Sequence, residues 1–365
     1  MRKKILVLSI YPAPYRVELI EKIAGEFDVT VFYERNHGHG RDKSWFLKGE
    51  YFLLDTTEGK EAYKKACKAL KSYDLVILYD YSTKTAVKLI ERSRMYRIPY
   101  VINADGVALI KHGNPFREIL KKMIISGAAG CLSSGEKTNE YFYKYGAKIA
   151  AVHTHTFSSL QEEDILTHVL TPADKGDLRE KLDLGRDKKL AIAVGRFLPY
   201  KKFDQLITAW KTLPSEYELL IIGGGEEEEN YRRIIADNHI SNVRLEGFFP
   251  KEKLILYYKA CDVFIHPASY EVWGLVVNEA MACGLPVVVS DRCIAGLELI
   301  FQGQNGYLFP HFDYEKMIDY VKKILDDEEL KRSMSFNALK SIKNYTIENM
   351  AKCQIEALRN IIKSN

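Results

Sequence analysis

Short apolar runs and helical stretches alternate along nearly the whole chain. In the first half, Ile5–Ile10, Val29–Tyr33, Leu75–Tyr79, Tyr100–Asn103 and Gly130–Leu132 are short, apolar and followed by turn residues. They predict buried strands. Between them, Val17–Gly25, Lys60–Lys71, Lys84–Tyr96, Arg117–Ile125 and Glu136–Tyr145 repeat apolar residues at helical spacing. Ile149–His153 is one further expected strand. The pattern loosens after Ser158, with Thr171-Pro172-Ala173-Asp174-Lys175-Gly176, and a linker is expected near Thr167–Lys175. It then resumes with strands at Leu190–Val194, Tyr217–Ile222, Val243–Glu246, Val263–His266 and Pro286–Ser290. Helices are expected at Asp204–Thr212, Asn230–His239, Lys251–Ala260 and from about Gly274. The tail from Tyr314 is helical throughout. Such alternation implies an α/β fold of two doubly wound parallel sheets, with ligands at the carboxyl ends of the strands. The expected domains are residues 1–168 and 169–346.

The chemistry concentrates in the second half. Glu271 and Glu279 stand eight positions apart around a glycine turn, Trp273-Gly274-Leu275-Val276. A helix opening after glycine presents free N–H groups and a positive dipole end, which suits a phosphate. If helical, the interval spans roughly 12 Å at about 1.5 Å per residue. That is the reach from a sugar, across a diphosphate, to a ribose. Arg196 and Lys201 follow another predicted strand and suit the diphosphate as a fork of donors and a point charge. The chain has no Asp-x-Asp pair to hold a metal there. Taken alone, the glutamates fit a solvated helix face and the cations an exposed loop.

Together these segments resemble a known family. Glu271-x7-Glu279, Gly195-Arg196-x4-Lys201, Ile221-Ile222-Gly223-Gly224-Gly225 and Gly247-Phe248-Phe249-Pro250 are similar, in order and spacing, to motifs of retaining glycosyltransferases of family 4. That family has the GT-B fold, two Rossmann-like domains facing a central cleft. The resemblance runs from about Leu178 to Phe309. It implies a donor diphosphate gripped by Arg196 and Lys201 and by backbone N–H groups at Trp273, Gly274, Leu275 and Val276. It implies Glu279 on the ribose, Glu271 near the reacting carbon, and Gly247 and Phe248 beside the nucleobase. It also implies a UDP- or GDP-linked donor, no cofactor and no required metal, and a glycan or lipid-linked acceptor bound by the first domain. A terminal helix near 347–365 is expected to cross back onto that domain.

The first half departs from the family. Tyr11-Pro12-Ala13-Pro14-Tyr15-Arg16 stands where many members have paired glycines, and Lys202 follows Lys201 where glycine is usual. Asn103-Ala104-Asp105-Gly106 stands where many have a histidine, so Asp105 is a candidate catalytic contact to the donor sugar, with a capping or turn role equally open. His112, His153 and His155 are weaker candidates. The triple glycine at 223–225 lacks the third glycine of a dinucleotide fingerprint, and Glu226–Glu229 oppose a pyrophosphate there.

Composition narrows the rest. The 365 residues suffice for two cores, and no apolar run reaches the length of a spanning helix. Ile5–Ile10 is too short for a signal peptide core and fits a first strand. The six cysteines are scattered without a Cys-x-x-Cys pair, which suits free thiols in a cytoplasmic protein. The first 160 residues carry 26 Lys and Arg against 17 Asp and Glu; the remainder carries 27 against 32. A basic first half favours an anionic partner. The basic, apolar stretch Lys111–Ile125 suits reversible contact with an anionic membrane at its inner face, or an ordinary surface helix. Nucleic acid is not expected, because the phosphate-sugar constellation already accounts for the charge. The alternatives to transfer are a sugar-nucleotide epimerase of GT-B fold and a non-catalytic nucleotide-sugar-binding protein.

Overall fold

A computed structural model describes residues 2–36, 49–109 and 114–364. The chain separates into two compact units. Among the described residues the first holds seven parallel strands: β1 (Lys4–Ser9), β2 (Asp28–Tyr33), β3 (Phe52–Leu53), β4 (Leu75–Leu78), β5 (Tyr100–Ala104), β6 (Gly130–Ser133) and β7 (Val152–Thr154). Its connecting helices are α1 (Pro14–Ala24), α2 (Thr57–Lys68), α3 (Lys84–Tyr96), α4 (Pro115–Ser126) and α5 (Glu136–Lys144). The strand order is β3-β2-β1-β4-β5-β6-β7. Every residue of β4, β5 and β6 is buried, as expected for a sheet covered on both faces. Thr56, Thr83 and Asn114 cap α2, α3 and α4 by accepting from backbone N–H groups of the first turn. Sequence patterning did not predict β3, which is only two residues long. The strand expected at Ile149–His153 begins later: Ile149–Ala151 is a single helical turn and β7 follows it.

The second unit spans Leu160–Asn344. It holds α6 (Pro172–Lys181), β8 (Lys189–Val194), α7 (Phe203–Trp210), β9 (Tyr217–Ile222), α8 (Glu228–Asp237), β10 (Val243–Glu246), α9 (Lys251–Ala260) and β11 (Val263–His266). Then come α10 (Leu275–Ala282), β12 (Val287–Ser290), α11 (Ile294–Leu299), β13 (Gly306–Phe309), α12 (Tyr314–Asp326) and α13 (Glu328–Ile342). The sheet is parallel, in the order β10-β9-β8-β11-β12-β13. Phe197, Phe203, Trp210 and Tyr231 fill the core under β8 and β9. At the amino ends of β8 and β11, buried Asp262 accepts from Arg179 at 2.8 Å, Lys175 at 3.3 Å and the Leu190 N–H at 3.0 Å. Burial pushes its carboxyl up, but the surrounding cations outweigh this and hold it below the usual range. The network ties α6 to the sheet.

The division falls after Ser159, before the linker expected near Thr167–Lys175. The reason is local pairing. Asp164 binds Lys251 at 2.6 Å and the Leu166 N–H donates to Ala282 O at 2.9 Å, so 160–171 belongs to the second unit. The tail from Tyr345 belongs to the first unit. There α14 (Ile347–Ser364) lies along α1, with Lys22–Glu348 at 2.9 Å and the Tyr79 hydroxyl donating to Gln354 at 2.8 Å. Its Ile347, Met350, Ala351, Leu358 and Ile361 are buried. Among the described residues no helix is long and apolar enough to cross a membrane.

Candidate functional site

In each unit the strand order reverses at one point, and the loops leaving the two flanking strands open a crevice there. In the second unit the reversal lies between β8 and β11. After β8 the chain passes Gly195, Arg196 and Lys201. Gly223, at the end of β9, permits this turn: a Cβ there would sit 1.9 Å from Gly195 O. After β11 it passes Glu271 and reaches α10 through Gly274, whose φ of 102° favours glycine and whose added Cβ would lie 2.7 Å from Cys293 Sγ.

These two loops meet in an ion pair. Lys201 is 8% exposed, and its ammonium donates to Glu271 Oε2. His266, wholly buried and stacked on Phe264, places Nε2 3.3 Å from the same oxygen. Burial pushes the Glu271 carboxyl up, but Lys201 more than offsets this and holds it at about 2. Burial pushes the His266 pKa down, so its ring is neutral at neutral pH. Lys202 has φ 58°, in the left-handed region; this explains why glycine suits that position in the resembled family.

No side chain caps the start of α10; in its first turn the Val277 N–H donates to Gly274 O at 2.9 Å. Trp273 is 3% exposed, and its indole N–H donates to buried Asn278 at 3.0 Å. Its side chain is therefore core, and its backbone carbonyl accepts from the Ala295 N–H at 2.8 Å. Leu275 and Val276 are half-buried. Glu279, one turn into the helix, accepts from the buried Tyr258 hydroxyl at 3.3 Å. Arg196 is exposed, bonded to the Tyr200 hydroxyl at 3.3 Å and without an ion pair among the described residues. Gly247 and Phe248 follow β10 and are exposed, with open space around Gly247. All these candidates lie after carboxyl ends of strands of one sheet. A cavity of about 1890 Å³, lined by Lys175, Asp262 and Lys331, lies instead at the amino ends of β8 and β11. It takes no part in this constellation.

Asp105 belongs to the first unit, whose reversal lies between β1 and β4. It neither caps a helix nor closes a bare turn. Its carboxylate accepts from Arg16, from the Tyr15 hydroxyl at 3.2 Å and from Asn103 at 2.7 Å. The Arg16 guanidinium is 3% exposed and lies 3.8 Å from the Tyr79 ring centroid. Burial opposes its charge, yet Asp105 holds its pKa above the ordinary value. Asp80, directly after β4, accepts from the Ser9 hydroxyl at 3.2 Å and the Ile10 N–H at 3.3 Å. Burial, then the nearby Asp105 charge, pushes its carboxyl up to about 6. His155 Nε2 lies 3.3 Å from Asn103 Oδ1, and burial pushes that ring down to about 4. Arg16 Nη1 and His155 Nδ1 are buried without a hydrogen-bond partner among the described residues. Burial also lowers the pKa of His153, in β7, while His112 lies outside the described residues. Sequence reasoning missed Arg16, Asp80 and His266 as site residues. Position was the available signal, since Asp80 and His266 sit at strand ends and Arg16 opens the first helix.

Residues 174–341 match the family model described as "Glycosyl transferases group 1". This match lies within the second unit. An uncharacterized glycosyltransferase of Haemophilus influenzae is 30% identical over 194 residues, covering 52% of this chain and 54% of the relative. The alpha-monoglucosyldiacylglycerol synthase of Acholeplasma laidlawii is 31% identical over 196 residues, covering 52% and 48%. The chain thus spans about half the length of these curated relatives. Among solved structures, Anabaena HepE in complex with UDP has a TM-score of 0.79 at 19% identity, covering 99% of this chain and 100% of that one. With the two doubly wound parallel sheets, this likeness shows a GT-B α/β fold.

Proposed function

We propose that this protein moves a sugar from a nucleoside diphosphate sugar, UDP-linked as the first donor to test, to a hydroxyl of a glycan or lipid-linked acceptor. The observation that carries this reading is the Lys201–Glu271 pair at the β8/β11 reversal, beside the uncapped start of α10. Arg196 and Lys201 are the cations for the diphosphate, with the N–H groups from Trp273 to Val276. Glu279 takes the ribose, and Gly247 and Phe248 border the base. Glu271 holds a hydroxyl of the donor sugar, and Asp105 holds a hydroxyl of a reacting sugar.

The reaction we favour retains the anomeric configuration. The bond from the anomeric carbon to the phosphate oxygen breaks while the acceptor oxygen attacks from the same face. The acceptor's proton passes to the departing phosphate. Negative charge grows on that phosphate towards the transition state, so fixed cations act most strongly there. Arg196 and Lys201 supply this charge from the protein itself, and we infer that no metal is required. Transfer measured after EDTA treatment and dialysis tests that inference. Activity lost and restored only by Mg²⁺ or Mn²⁺ would overturn it.

A thermal-shift comparison of UDP- and GDP-linked sugars tests the donor site. A ligand at about 100 times its dissociation constant stabilises by about 2.7 kcal/mol. Nucleotide release that requires an acceptor separates transfer from epimerisation or simple binding.

A further inference from the structure

We propose that the basic cavity at the amino ends of β8 and β11 is a second anion site, built for a free small molecule carrying consecutive phosphate groups. Every residue lining it belongs to the second unit. The length of β8 separates it from the donor constellation by roughly 17 Å, at about 3.3 Å per residue. Its volume of about 1890 Å³ exceeds the roughly 300–1,000 Å³ of an ordinary ligand pocket, so it has room for more than one phosphate group. Nine of its lining residues are Lys or Arg and five are Asp or Glu. The excess is local, because the chain beyond residue 160 carries more carboxylates than cations.

The inner wall gathers three cations, Lys175, Arg179 and Lys331, around one buried carboxylate, Asp262. A network that only tied α6 to the sheet would be complete with Arg179. That guanidinium also donates to the carbonyls of Ala260 at 2.9 Å and of Arg186 and Lys188 at 3.0 Å. Lys331 adds a further positive charge 3.6 Å from Asp262, and its other partner is Glu328, whose side chain is 73% exposed. Gathering like charges out of water costs free energy unless an anion joins them. Burial, with Lys331 and Arg179 close by, lowers the Lys175 pKa although Asp262 opposes this. At the rim, Arg332, Phe336, Lys340 and Lys343 follow one another at helical spacing along one face of α13 and its end. All four are exposed, and the three cations make no ion pair among the described residues. Inner and rim cations thus offer two places for phosphates within one cavity.

Isothermal titration with inorganic triphosphate tests the site. The wild-type chain should bind it. Lys331→Gln and, separately, Arg332→Glu with Lys340→Glu should each weaken binding about tenfold or more, since each removes charge-assisted contacts. The rim variant should keep the wild-type melting temperature, because both replaced side chains are exposed. Hydrogen exchange locates the ion: triphosphate should slow exchange in 165–172 and 331–343. Absence of binding, unchanged affinity in either variant, or protection confined to the loops after β8 and β11 overturns the proposal. No arm of this test contains a nucleotide sugar, so its outcome stands apart from the transfer reading.

Discussion

The two sheet reversals share a topology and differ in electrostatics. At β8/β11 a buried cation and a glutamate meet beside an uncapped helix start, and the glutamate is held ionised at about 2. At β1/β4 one buried arginine lies among two carboxylates, and burial drives Asp80 to about 6. The first arrangement adds an exposed arginine and a helix start without a side-chain cap, which suits a diphosphate. Among the described residues the second offers one guanidinium edge and is rich in acceptors, which suits hydroxyl groups. Topology thus placed two crevices, and side-chain charge makes them suit different ligands.

The largest expected effect is at the first reversal. Arg16→Met leaves Asp105 without its cation, and breaking such a pair costs about 3 kcal/mol or more. Urea unfolding should show the first unit melting earlier. An unchanged midpoint would mean that Asp105 finds other partners and that the crevice does not need its arginine.

Next come the cations of the second reversal. Arg196→Ala should cost roughly 2–4 kcal/mol of transition-state stabilisation without changing the melt, because this side chain is exposed. Lys201→Ala should lose comparable activity and also melt earlier, since it leaves Glu271 unpaired. Steady-state kinetics beside thermal melts separates the two. Near wild-type turnover in Arg196→Ala would remove it from the diphosphate site.

The pH responses should oppose each other. Folded Asp80 keeps its proton to about pH 6, whereas the unfolded chain releases it near 3.9. The folded state therefore binds more protons between those values, and stability falls as pH rises through that window. Asp80→Asn should remove this loss, about 3 kcal/mol. Folded Glu271 stays ionised to about pH 2, so it stabilises above its unfolded pKa of about 4.3. That contribution disappears as pH falls towards 2. Glu271→Gln should flatten the acid limb. Unfolding free energies across pH for wild type and both variants check the signs, and slopes of the same direction at both sites would break the comparison.

The smallest effect sharpens the roles within the second unit. Glu279→Ala should mainly raise the donor KM, and Glu271→Ala should mainly lower kcat, because only the latter is assigned to the reacting sugar. Each change should be about tenfold or more. Reversed effects would exchange the roles.

Much of the fold was legible because strands buried on both faces must be continuous apolar runs. The exceptions are short or deferred elements: β3 has two residues, and β7 starts after a helical turn at Ile149–Ala151. The second-unit candidates were legible because each lies in a local motif after a strand. The boundary after Ser159 was not, because 160–171 is held by distant partners, Lys251 and Ala282.

The sequence by itself determined the alternation of strand and helix, the motifs around Glu271 and Glu279, and the basic excess of the first half. Local spacing carries all of these. Tertiary structure alone decided that Arg16 meets Asp105 across 89 positions and Lys201 meets Glu271 across 70. Parallel neighbours β1, β4 and β5, or β8 and β11, bring such residues to one sheet end however far apart they lie in the chain. Tertiary structure also decided which way α4 faces. Its periodicity fits an inward or an outward apolar stripe equally well, and only the packing of Ile124 and Ile125 into the core turns Phe116, Ile119, Leu120 and Met123 to solvent.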